Sequence, residues 1–227
     1  MKVYALIVAG GSGTRMKSEV PKQFMLLQQK PVLMHTIERF VQFDPTMEII
    51  LVLPQNQFST WTEICAKYQF DIKYQLVAGG ATRTESVSNG LDCIHENGIV
   101  FIHDGVRPLV STNTLQHCLD KTLEAGNALP VLPLVESIRQ LDGEHNRIAN
   151  RDEFVSVQTP QVFLTNEIKA AYIAAKGKSF TDDASVLESF GKKINLVEGN
   201  RENIKITYPS DLIYASAIML NEVQTQK

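Results

Sequence analysis

The chain has 227 residues, of which 44% are hydrophobic and 21% charged, and its net charge is -3. That length can bury one substantial core and suits a single α/β domain, while the balance excludes an extended disordered chain or a coiled coil. The charge gives no general attraction to nucleic acid or to an anionic membrane, so a local basic cluster needs a local explanation.

The first apolar run, Val3 to Ala9, is cut off at once by glycines and charges, is too short for a signal core, and reads as a buried strand over Tyr4 to Val8. Further β-branched runs predict strands at Glu48 to Leu53, Ile72 to Val77, Ile99 to His103, Ala128 to Leu132 and Ile194 to Val197. Helical spacing predicts helices over Val32 to Phe43, Phe58 to Tyr68, Thr84 to His95, Ser111 to Ala125, Asn166 to Ala175, Asp182 to Phe190 and Pro209 to Leu220. Ser111 suits an N-cap, Gly126 a stop and Pro209 a first helical turn. The alternation predicts a Rossmann-like, mostly parallel sheet with helices on both faces, one domain over 1–227. The stretch 133–155 breaks the rhythm: two alternating runs flank Asp142-Gly143, a hairpin signal, and the inserted β-hairpin is either an arm that pairs with another subunit or a surface flap. No run reaches the roughly 18 apolar residues of a membrane helix. Cys65, Cys93 and Cys118 lack any C-x-x-C or Cys/His ligand pattern, as expected of reduced core thiols in a cytoplasmic protein.

Behind the first strand stands "VAGGSGTRMKSEVPKQF". Glycines after a strand let backbone amides approach a phosphate, since no Cβ intervenes. A P-loop fails on the letters, because Gly10 is followed at the required distance by Arg15 and Met16 instead of Gly-Lys-Ser/Thr. The dinucleotide fingerprint also fails, with Met16 where its third glycine belongs and no acidic residue after Leu53-Pro54. A glycine loop carrying Arg15 and Lys22 remains, or an ordinary strand–helix turn with solvated charges.

"AGGSGTRM" followed by "PKQF" resembles the signature of nucleotidyltransferases that activate sugar or polyol phosphates with CTP. "GGATRTES", "HDGVRP", "QTPQ", "FTDDAS" and "NIKIT" follow in order and spacing, and within that group the chain is most similar to the 2-C-methyl-D-erythritol 4-phosphate cytidylyltransferase family of the non-mevalonate isoprenoid pathway. The resemblance runs nearly end to end and implies a nucleotide-diphospho-sugar transferase-like fold. It also implies transfer of a cytidylyl group from CTP to a polyol phosphate, with Mg2+ as cofactor. The family usually has Ala where Gly105 stands, Thr where Ser137 stands, and often Ala-Ala-Gly where this chain has Ala9-Gly10-Gly11.

By the same resemblance, Arg15, Lys22 and Lys205 are catalytic cations, and Ala9, Gly10, Gly11, Gly13, Gly79, Gly80, Ser86 and Asp104 bind the nucleotide, Asp104 also facing the metal. Arg107, Ser137, Arg151, Thr181 and Asp182 are implied to meet the acceptor, Ser137 and Arg151 from a neighbouring subunit's arm in a homodimer. Plainer roles stand beside these: Asp104, or Thr181 and Asp182, as helix caps, Arg151 in a surface salt bridge, Lys205 as a strand-end charge in water, Arg83 and Glu85 as surface charges. His103 is expected to pack or hydrogen-bond. Ribitol-5-phosphate cytidylyltransferase and a silent nucleotide-binding regulator of the same fold remain as alternatives; "FTDDAS" favours the methylerythritol enzyme.

Overall fold

The computed structural model describes residues 1–10, 20–178 and 180–225. In chain order come β1 (Lys2–Val8), the two-residue strands β2 (Leu26–Leu27) and β3 (Lys30–Pro31), α1 (Val32–Phe43), β4 (Glu48–Leu53), α2 (Phe58–Tyr68), β5 (Gln75–Ala78), α3 (Arg83–Asp92) and β6 (Gly98–Asp104). The second half continues with α4 (Thr112–Ala125), β7 (Asn127–Pro133), β8 (Ile138–Asp142), β9 (His145–Ala149), β10 (Val155–Val157), β11 (Gln161–Leu164), α5 (Thr165–Ala174), α6 (Asp183–Ser189), β12 (Leu196–Glu198) and α7 (Pro209–Thr225).

The main sheet runs β10-β7-β11-β6-β1-β4-β5, with β12 also paired to β7. Strands β6, β1, β4 and β5 are parallel neighbours. Period two decides which side each residue of β1 faces: Ala5 and Ile7 pack in the core that holds Phe40, Trp61 and Phe101, whereas Tyr4, Leu6 and Val8 join the opposite core with Val87, Ile168 and Leu187. Both faces are therefore covered by helices, which is why these strands read as unbroken apolar runs. A third apolar cluster, with Leu27, Val106, Ile206 and Ala215, seats α7.

Register sets the functional edge. Val8 lies opposite both Val52 and Asp104, and Leu53 opposite Ala78, so the carboxyl ends of the four parallel strands stand side by side. The chain stays fastened for one residue more, through Ala9 N to Val52 O (2.9 Å), Gly79 N to Leu53 O (2.8 Å) and Gly105 N to Val8 O (2.8 Å). Beyond such an edge an open α/β sheet binds its ligands.

The mostly parallel sheet and both helical layers agree with the sequence reading, and several details correct it. β10 and β11 were not anticipated; β11 wedges antiparallel between β6 and β7, making the sheet mixed. The strand expected from Ile72 begins only at Gln75, and that expected from Ile194 only at Leu196. α3 starts one residue early, capped by the Thr82 side chain, and ends at Asp92. Ser111 does cap α4, Gly126 ends it in the left-handed region, and α7 runs past Leu220 to Thr225. The hairpin forms, but its turn is Gly143-Glu144, because Asp142 still pairs with His145. Gly143 takes the positive φ of 56°, the first central position where such two-residue connections favour glycine. Of the three thiols, which are all free, only Cys118 is fully buried.

Candidate active site

A cleft opens at the carboxyl edge, lined by Ala9 and Gly10, by Lys22, by Gly80 and Ser86, and by Asp104 and Lys205 among others. Lys22 sits on a single 3-10 turn, Lys22–Phe24, entered through Pro21. The two residues after Lys22 anchor the turn: Phe24 stacks on Trp61 with ring centroids 5.8 Å apart, and Gln23 Nε2 donates to Ala9 O (2.9 Å) and to Gln57 Oε1 (2.7 Å). Packing thus fixes the "PKQF" segment against the start of the glycine loop. Arg15, Gly11 and Gly13 lie outside the described residues.

The opposite wall is the turn from β5 into α3. The Gly80 amide donates to Ser86 Oγ (3.1 Å), whose hydroxyl donates to Thr82 O (2.8 Å), and the Ala81 amide donates to Glu85 Oε2 (2.7 Å). The turn folds so tightly that a Cβ on Gly80 would lie 2.4 Å from Glu85 Cβ. Glycine is needed there for close approach, whatever the ligand.

Asp104 ends β6 almost fully buried. Its Oδ2 lies 2.8 Å from Lys205 Nζ and 3.5 Å from Arg107 Nε, and its Oδ1 lies 3.7 Å from Arg83 Nε. Burial alone would raise the pKa of this carboxyl, but Lys205, then Arg83 and Arg107, outweigh it and hold the group well below the usual carboxylate range. The site therefore contains a carboxylate that is ionised at neutral pH and ringed by cations. Lys205 is carried there by Ile206, whose amide donates to Val106 O (2.9 Å). Buried Asn203 donates from Nδ2 to Thr159 O (2.8 Å), and its carbonyl accepts from Arg107 Nη1 (2.7 Å).

His103 is structural, as expected. Its Nε2 meets Arg107 O at 3.0 Å and its Nδ1 meets Thr159 Oγ1 at 3.0 Å. A carbonyl only accepts, so the network assigns the proton to Nε2 and the acceptor role to Nδ1. Burial pushes the imidazole down to about 4 and keeps it neutral.

A second cleft adjoins the first and shares Arg83, Asp104 and Lys205 with it; Arg107, Thr181 and Asp182 line its far side. Asp182 is the N-cap of α6: Oδ1 accepts from Ser185 N (3.0 Å) within a capping box, while Oδ2 accepts from Gln161 Nε2 (2.9 Å). Its plainer role is thus observed, at the cleft's edge. Ser137 and Arg151 stand apart. They flank the β8–β9 hairpin, Arg151 Nη1 donates to Val135 O, and neither lines either cleft.

Arg83, which the sequence reads as a surface charge, lines both clefts. Arg83 forms a fork on Asp183, Nη1 to Oδ1 at 2.9 Å and Nη2 to Oδ2 at 2.6 Å. The only sequence signal was the second aspartate of "FTDDAS" directly after a cap position. Its partner, 100 residues away, leaves no local mark.

Comparisons with known proteins converge. The family model described as IspD, 2-C-methyl-D-erythritol 4-phosphate cytidylyltransferase, matches residues 3–221. The 2-C-methyl-D-erythritol 4-phosphate cytidylyltransferase of Bacteroides fragilis is 49% identical, covering 95% of this chain and 98% of the relative. The protein of that name from Bacillus velezensis is 37% identical over 98% of this chain and 97% of its own. Among solved structures, the Thermus thermophilus 2-C-methyl-D-erythritol 4-phosphate cytidylyltransferase superposes with a TM-score of 0.79 at 32% identity, covering 96% of this chain and 98% of that one. The 4-diphosphocytidyl-2C-methyl-D-erythritol synthase of Anaerococcus prevotii gives 0.82 at 28%, with the same coverage.

Proposed function

The chain belongs to the 2-C-methyl-D-erythritol 4-phosphate cytidylyltransferase family, and from that premise we propose how its two clefts carry the reaction. The enzyme is a nucleotidyltransferase that joins CTP to 2-C-methyl-D-erythritol 4-phosphate, giving 4-diphosphocytidyl-2-C-methyl-D-erythritol and pyrophosphate in isoprenoid precursor biosynthesis. The ribitol alternative gives way to this end-to-end match.

An acceptor phosphate oxygen attacks the α-phosphorus of CTP in line. A phosphate monoester has its second pKa near ~6, so the nucleophile is already largely a dianion and needs no dedicated base. The difficulty is to bring two anions together and hold the charge that grows in the transition state. The observation that carries the assignment is the junction: Asp104, Arg83 and Lys205 line both clefts. CTP occupies the first, with its triphosphate at the glycine loop, Arg15 and Lys22, and its cytosine and ribose along Gly79, Gly80 and Ser86. The acceptor occupies the second, between Arg107 and the Thr181–Asp182 turn. Lys205 stands where the two phosphates meet.

The residues present fit Mg2+. Asp104 stays ionised, and the cation that faces its Oδ1, Arg83, is at 3.7 Å, beyond hydrogen-bond distance. No group of three or more His, Cys, Asp or Glu side chains able to hold a metal occurs among the described residues, which suits an ion held by one carboxylate, phosphates and water. Asp104 would hold it. Bound there, the ion would supply positive charge to the phosphates.

Ser137 and Arg151 reach an acceptor phosphate, in this reading, from a second copy of the chain. The hairpin that they flank exposes Leu141 and Ile148, apolar surface that a homodimer would cover. Free thiols suit the reducing cytoplasm, and no helix among the described residues is long and apolar enough to cross a membrane.

The test is a panel of nucleoside triphosphates against methylerythritol, ribitol and hexose phosphates, with Mg2+ or with chelator, scored as pyrophosphate release. CTP with methylerythritol phosphate should give the fastest turnover, abolished by chelation. Nucleotide binding without turnover on any acceptor would favour a silent regulator.

A further inference from the structure

We propose that Asp183 is a positioning residue that holds Arg83 across the junction of the two clefts, and that Arg83, so held, is a substrate-facing cation of the transfer. This inference rests on the functional reading above.

Asp183 is fully buried at the first position of α6. An isolated carboxylate there would be costly unless paired and hydrogen-bonded. It is satisfied by the planar Arg83 fork on both oxygens and by the Tyr172 hydroxyl, which donates to Oδ1 at 2.5 Å. A guanidinium carries five N–H donors in a rigid plane. Two serve Asp183, and the Nε edge faces Asp104 Oδ1 at 3.7 Å. Burial alone would lower the pKa of Arg83, but Asp183, then Asp104, raise it, so its charge is constant.

The placement is what separates this pair from a simple staple. Arg83 opens α3 at the end of the turn that begins with Gly79 and Gly80 and is capped by Thr82, and Asp183 opens α6 directly after Thr181–Asp182. The fork therefore ties the turn assigned to CTP to the turn assigned to the acceptor. Its cationic plane is set beside the carboxylate that Lys205 also touches. An arginine on a freely rotating stem would sample many positions; seated on Asp183 it has one. Such seating matters most for a group that must meet charge only as it develops.

The experiment uses the full chain as wild type, Asp183→Asn, Arg83→Ala and the double variant, with kcat and KM for CTP and for methylerythritol phosphate and a thermal melt of each. Asp183→Asn should lower kcat at least about tenfold with KM for either substrate changed less than about threefold, as expected for loss of an interaction made in the transition state. If Asp183 acts through Arg83, the double variant should be no worse than Arg83→Ala within about threefold, since coupled residues are not additive. An active wild type with an Asp183→Asn variant that only melts earlier, or single losses that multiply in the double variant, would overturn the inference alone. A wild type inactive on every acceptor would sink the functional reading and this inference with it. Should Asp183→Asn fail to fold, Arg83→Lys decides: it keeps the ion pair and loses the fork, and undiminished kcat would refute the assignment.

Discussion

Lys205→Gln separates the catalytic reading of the junction from a purely structural one. Lys205 Nζ lies 2.8 Å from Asp104 Oδ2, a separation at which two unit charges attract by roughly 1.5 kcal/mol in a water-like dielectric and about 6 kcal/mol at an effective constant near 20. The side chain of Lys205 is 41% exposed, and Asp104 keeps Arg83 and Arg107, so the lower figure is already generous. A loss of about 1 kcal/mol or less is expected, which is a fall of roughly 2–4 °C in Tm for a chain of this size. Catalysis should suffer far more. Removing one preorganised donor from a developing oxyanion costs about 100- to 1,000-fold in kcat, and glutamine keeps a polar side chain, one bond shorter than lysine, without the charge. Pyrophosphate release with saturating CTP, acceptor and Mg2+ gives kcat, and a urea or thermal melt of the same preparation gives stability. A folded variant with kcat within about threefold of wild type would show that Lys205 merely neutralises Asp104, because a transition-state cation cannot be removed so cheaply.

Gly80→Ala should cost about 1–3 kcal/mol through overpacking, because the new Cβ meets Glu85 Cβ at 2.4 Å, and it should raise KM for CTP above that for the acceptor; calorimetry and substrate titrations check both. His35, whose Nε2 donates to Leu27 O at 2.7 Å, is pushed by burial below the ordinary histidine value. Its native state thus favours the neutral ring, so its contribution is complete above about 6.5 and is lost as pH falls below that value and the unfolded chain takes up the proton first. Urea melts from neutral pH toward acid should show a flatter dependence for His35→Gln than for wild type; identical slopes would contradict this. Mixing Arg15→Ala and Arg151→Ala chains should restore part of the activity that each lacks, if the arm of one copy completes the site of another. Failure of such hybrids to recover any turnover would place Arg151 elsewhere.

Much of the framework was legible because its causes are local. The apolar runs of β1, β4 and β6 follow from burial on both faces, and α1, α2 and α4 follow from 3.6-residue spacing with caps such as Ser111 and Gly126. The glycine turns and their neighbouring cations could be named from letters alone, since close backbone approach and fixed charge have few residue types that supply them. Strands β10 and β11 are hidden in the letters because they follow the inserted hairpin, outside the strand–helix alternation, and are separated by Pro160; whether such a strand runs parallel is decided by the path of the chain.

Tertiary structure alone decided which charges meet. Arg83 reads as a solvated residue until the fold brings the start of α6, with its buried Asp183, to the start of α3. Asp104 and Lys205, far apart in sequence, become a 2.8 Å pair only because β6 ends beside the strap that precedes α7. Hydrophobic spacing encodes which face of an element is buried, but Coulomb interactions depend on distances that arise only after the elements have packed.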